Sequence, residues 1–143
     1  MYNYINQDFL IKNEKNDDAL SKTKMNLFTP DVAFTNGTIF KSLYEPYKNY
    51  KPMRPVVNDP KDKALLSVMM YGSCLHDMNL YLEVYPDDKE ALKIRKEYYE
   101  KYKMAKDEYE TKYSSYSLLS DFSDTKPFGF STEAFPWAKR GDM

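Results

Sequence analysis

His76 is the only histidine in the chain, and Cys74, two residues before it, is the only cysteine. On a helix those positions lie roughly 200° apart, so the two side chains cannot form a nucleophile–base unit. A metal ion could draw on His76, Asp77 and Glu83. A di-metal bundle, however, needs Glu-x-x-His pairs from separate helices, and none is present. A single thiol also excludes an internal disulfide and a multi-thiolate zinc site. Beside Gly72 and Ser73, Cys74 reads as a packing residue, with a reactive or intermolecular thiol as the sharper alternative. Asp87, Asp88 and Glu90 invite a calcium reading, but the EF-hand spacing and its glycine are missing, and helix capping accounts for all three. No nucleophile elbow, phosphate loop, dinucleotide fingerprint or zinc-protease motif occurs. The expectation is a protein that is no enzyme and has no cofactor or metal.

Tyrosine is the remaining reactive type, with 14 among 143 residues, roughly three times ordinary usage. Tyr98, Tyr102 and Tyr109 recur at helical spacing and read as a packing seam. Tyr99, Tyr113 and Tyr116 fall off that seam, and Tyr47 and Tyr50 lie in a proline-rich stretch. Phenols exposed at this density could couple oxidatively between chains, with Tyr47, Tyr50, Tyr99, Tyr113 and Tyr116 as the candidates.

The elements that position these residues follow from periodicity and capping signals. Asp59 is a good N-cap, Pro60 suits the first helical position, and Asp62 places negative charge in the first turn. From there Leu65, Val68, Met69, Gly72, Leu75, Met78, Asn79 and Leu82 mark one face of a helix over 60–83, widened by Leu66, Met70 and Leu80. Pro86 ends it. A second helix is expected from Asp87, with Glu90 completing a capping box, to about Tyr113. Its inner face is Ala91, Ile94 or Arg95, Tyr98, Tyr102, Ala105 and Tyr109. Pairs such as Glu108–Lys112 lace its outer face. A short turn between two long helices makes an antiparallel hairpin.

Around that hairpin lie less regular segments. Residues 1–26 are polar and expected to be mobile when alone. In 27–59, prolines at 30, 46, 52 and 55 forbid a long helix, and Thr38 to Tyr44 allows one helical turn. Its aromatics suit an arm laid on a surface, either the protein's own helices or a partner. Residues 114–143 form a tail with Phe130, Phe135 and Trp137. The fold class expected is therefore all-α: an antiparallel two-helix hairpin over 60–113 with long aromatic, proline-rich arms on both sides.

Balance and length narrow the function classes. Lys plus Arg total 21 and Asp plus Glu 22, a net charge of −1, which removes the main drive toward nucleic acid. No apolar run approaches the ~20 residues of a membrane span. The start lacks a secretory signal, so the chain is expected to be made inside a cell and sorted by what it binds.

The run Leu75-His76-Asp77-Met78-Asn79-Leu80-Tyr81-Leu82, followed by Tyr85-Pro86-Asp87-Asp88-Lys89-Glu90-Ala91-Leu92, resembles the spore coat protein CotJB family, over about residues 63–143. Tyr85 stands where the family usually has His. Phe128-Gly129-Phe130 and Phe135-Pro136-Trp137 stand where it has Trp-rich segments. Upstream, Asn36-Gly37-Thr38-Ile39-Phe40-Lys41-Ser42-Leu43-Tyr44-Glu45-Pro46-Tyr47 resembles part of the small coat protein family CotJA. The resemblance implies a structural component of the endospore coat, made in the mother cell and assembled with other coat proteins, including a manganese-catalase-like one, with self-association open. A small adaptor or regulatory subunit of a catalase-like enzyme is the alternative. The expected partner contacts are Phe40, Leu43, Tyr44, Pro46 and Tyr47 in the arm, and Phe130, Phe135 and Trp137 in the tail.

Overall fold

The structure, a computed structural model, describes residues 25–117 and 119–129. Among these residues the chain is helical and has no strand: α1 is Pro30–Asn36, α2 Pro60–Val84 and α3 Lys89–Lys112, with 3-10 turns at Lys41–Leu43 and Asp121–Ser123. The all-α class expected from periodicity is the class observed.

Helix α2 starts as its sequence dictates. The Asp59 carboxylate accepts the Lys61 amide at 2.8 Å, and Pro60 occupies the first turn, where a missing N–H costs nothing. The cap of α3 is shifted by one residue from the expectation. Asp88, not Asp87, is the N-cap, its Oδ1 accepting the amides of Glu90 and Ala91 at 3.0 Å each. Two adjacent aspartates satisfy the same sequence rule, and only the backbone path into the helix selects between them.

Contacts between α2 and α3 pair residues whose numbers fall on one helix as they rise on the other. Arg95 Nε donates to Asn79 Oδ1 at 2.9 Å, the Tyr102 ring lies over Gly72, and Ala64 and Ser67 share a crevice with Ala105 and Glu108. The helices therefore run in opposite directions. A Cβ on Gly72 would sit 3.3 Å from Tyr102 Cε2, so the small residue sets how closely that ring approaches the helix.

Of the expected face of α3, Ala91, Ile94, Tyr98 and Tyr109 are buried and Tyr102 and Ala105 half-buried, and Glu110 is buried beside them. On α2 the buried set is Val68, Met70, Cys74 and Met78, while Met69 and Leu80 are exposed. Val68 and Met78 of the expected stripe are thus buried and Gly72 and Asn79 face α3, but Met69 is turned out and the buried face extends instead to Met70 and Cys74. Apolar residues surround this helix on most sides, so spacing alone does not select the packed one.

The arm holds a short helix that was not expected from the sequence. Thr29-Pro30-Asp31 opens α1, and Gly37, at φ 83°, closes it with its amide on the Ala33 carbonyl. Only a residue free of a Cβ penalty adopts that left-handed conformation readily. A bridge between Leu27 and Phe40, with Phe28 N–H on Ile39 O at 2.8 Å, closes the loop around α1. The closed unit seats Ala33 and Ile39 in one core with Cys74, Met78, Ala91, Ile94 and Tyr98. Burial of a side chain like Ile39 contributes about 1.5–3 kcal/mol. So part of the arm does pack on the protein's own helices.

Candidate functional site

The fold divides the arm at Phe40. Ile39 is wholly buried, and its backbone N–H donates to Asp77 Oδ2 on α2 at 2.9 Å. Phe40, half-buried, packs on the Tyr81 ring with centroids 5.4 Å apart. Tyr44 meets Phe28 edge-on at 5.8 Å. Beyond these anchors the chain leaves the body: Leu43 is 69% exposed, Tyr47 83% and Met53 88%, with Tyr50 and Val56 also outside. Pro46 is exposed too.

That outer stretch has a shape of its own. Tyr50 N–H donates to Tyr47 O at 3.1 Å, and Asn49 takes φ 64°, the sign a type II turn requires at its third residue. Asparagine tolerates this conformation better than most residues. Arg54 pairs with Asp31 of α1 at 3.2 Å, returning the stretch to the body before α2. The result is a loop tethered at both ends that presents Leu43, Tyr47, Tyr50, Met53 and Val56 to solvent. Met53 and Val56 were not singled out from the sequence, though both flank the prolines that keep this backbone extended. Phe130, Phe135 and Trp137 lie outside the described residues.

Of the candidate coupling tyrosines, Tyr99 is exposed, with the Arg95 guanidinium 5.5 Å from its ring centre. Tyr113 and Tyr116 are half-buried around Tyr109, at 5.7 and 6.3 Å between centroids. Buried Glu110 accepts the Tyr116 amide at 2.8 Å, folding the chain back over the end of α3.

Tyr102 and Tyr116 share an open groove of about 520 Å³ with Phe34, Met69, Gly72 and His76. Burial raises the pKa of both phenols, and the charge of Glu110 adds to this at Tyr102. Both therefore stay neutral hydroxyls at ordinary pH. His76 is an exposed rim residue of this groove. Its suggested metal partner Asp77 is committed to the Ile39 amide. Among the described residues no group of three or more His, Cys, Asp or Glu side chains is placed to hold a metal ion. Cys74 is a buried free thiol in the core.

Asp77 is thus the latch of the arm, and no spacing rule could find it, since it lies 38 residues from the amide it binds. Asp77→Ala is expected to cost about 1–3 kcal/mol, because it leaves a buried N–H without its charged acceptor. Hydrogen exchange at Ile39 reads this directly: its amide should lose protection before those at the centre of α3. Equal protection in variant and parent would show that the latch holds nothing.

Asp88 ties the other end. Beyond capping α3, its Oδ2 accepts the Tyr81 hydroxyl at 2.9 Å. The Ala91 amide first, then the Tyr81 hydroxyl, hold its pKa below the ordinary carboxylate value. A folded-state pKa below the unfolded one gives stability that is complete above the unfolded value and lost as pH falls through the lowered one. Asp88→Ala should therefore lower the melting temperature by several degrees at neutral pH. Melts repeated at descending pH should show the difference shrinking below the carboxylate range, and a difference constant with pH would refute the linkage.

What the described residues define is a small all-α protein, two long packed helices with a short third clamped beside them and part of its apolar arm left outside. No helix among them is long and apolar enough to cross a membrane. The chain belongs to the CotJB family: the family model described as CotJB protein matches residues 62–138, more than half of the 143. It is accordingly a spore coat-related protein. No curated protein matches it, and no solved structure does.

Proposed function

We propose that this chain is a non-catalytic structural component of the endospore coat, a helical hairpin that docks onto other coat proteins through its exposed arm and its aromatic tail. In this reading it is made in the mother-cell cytoplasm, is deposited in the coat and binds a manganese-catalase-like coat protein among its partners. The CotJA-like residues 36–47, upstream of the family match, belong to the docking arm. The observation that carries the reading is the outer loop. Leu43, Tyr47, Tyr50, Met53 and Val56 stand in solvent on a backbone pinned at both ends. A monomer gains nothing from exposing such a run, whereas a partner that covers it recovers the apolar area with little ordering left to offset.

Cross-linking of intact coats with an amine-reactive reagent, followed by mass spectrometry, tests this. Links from Lys48 and Lys51 in the loop to other coat proteins are expected. Links confined to this chain's own helices would sink the reading. Exclusive one-to-one linkage to a catalase-like enzyme would turn it into the adaptor alternative.

A further inference from the structure

The α2–α3 turn gathers reactive groups that docking does not use. Tyr81 and Tyr85, one helical turn apart, have ring centroids 4.8 Å apart and planes inclined by 39°. The Tyr81 hydroxyl already donates to a carboxylate, Asp88 Oδ2, at 2.9 Å, and that carboxylate is fixed by two backbone amides on its other oxygen. Tyr85 is 55% exposed. The other close pairs centre on Tyr109, a fully buried ring, whereas Tyr85 is open to an oxidant in solution.

We propose that Tyr81 and Tyr85 are an oxidative coupling site, where a peroxide acting through a one-electron metal oxidant joins the two rings into a dityrosine within one chain. A phenol that gives up an electron becomes strongly acidic, so oxidation is easiest where a base already holds the proton. Asp88 is that base for Tyr81, and its hydrogen bond and charge raise the phenol's pKa, keeping it protonated until the electron leaves. Tyr85, open to solvent, loses its electron to the oxidant and its proton to water. The two phenoxyl radicals form a carbon–carbon bond between ring positions ortho to oxygen. The hydrogens on those carbons then pass to the phenolic oxygens as the rings regain aromaticity. In sum two electrons and two protons leave the pair, and one peroxide takes them up to become two waters. Rings already in contact on one chain couple ahead of rings on separate molecules because their encounter is already made.

The test uses the full chain with hydrogen peroxide and a haem peroxidase. Trypsin leaves residues 64–89 as one peptide, so the coupling appears as that peptide, from monomeric protein, lighter by two hydrogens and resistant to fragmentation between Tyr81 and Tyr85. Tyr85→Phe should abolish the product. Asp88→Asn, which keeps a capping oxygen but is no base, should slow it several-fold while oxidation of Tyr47 in the same sample keeps its rate. The proposal is overturned if coupling at Tyr47, Tyr50 or Tyr99 comes first with the 64–89 peptide unlinked. An undiminished rate in Asp88→Asn, with its helix content intact by circular dichroism, overturns it as well.

Discussion

Tyr98→Ala is expected to destabilise the fold by about 3–5 kcal/mol, the range for emptying a large aromatic from a packed core. Tyr98 is 1% exposed and shares its cluster with residues of every helix: Ala33 from α1, Cys74 and Met78 from α2, Ala91 and Ile94 from α3. Its removal therefore loosens the arm and the helix pair together. Against a total stability of about 5–15 kcal/mol typical of small domains, that is a large fraction. The adjacent Tyr99 supplies the control. It is exposed and stacks only beneath the Arg95 guanidinium, so Tyr99→Ala should cost no more than about 1 kcal/mol. Urea melts of the two variants, compared at their midpoints, decide the matter. Similar losses would mean that α3 is rotated from the face described.

The contrast between those neighbours was legible in the sequence, and it is instructive to see which features were not. Helices α2 and α3 announce themselves locally, by Asp59-Pro60 at one start and by a three-four spacing through Ala91, Ile94 and Tyr98. Local signals were equally present for α1, where Thr29-Pro30-Asp31 and Gly37 bracket seven residues. The prolines further along bear on long helices and say nothing against two turns. The packed face of α2 was harder. Met69, Met70, Cys74, Leu75 and Leu80 spread around the helix, and the choice among them is made by what α1 and α3 cover. Hardest was the division of the arm. Ile39 and Leu43 are both aliphatic and one turn of chain apart, yet one is wholly buried and the other stands in solvent. What separates them is the Asp77 carboxylate, a tertiary partner that no window of sequence around the arm contains.

That division makes the sharpest separation between folding and assembly. Substituting serine for Leu43, Tyr47 and Tyr50 together should leave stability within about 0.5 kcal/mol of the parent, since side chains already in water lose nothing on unfolding. If the loop is the docking surface, the same triple variant should bind its coat partners at least ~30-fold more weakly, the loss of about 2 kcal/mol that marks an aromatic anchor at an interface. Ile39→Ala reverses the pattern: about 2–5 kcal/mol is lost from the fold, and incorporation falls only as far as the folded population does. Phe40, touching Tyr81 from the boundary, should show both effects in part. The measurement pairs melting curves with the amount of each variant recovered in purified coats. A triple variant that incorporates normally would remove the loop from the interface. One that melts early would show instead that its aromatics cover the protein's own surface.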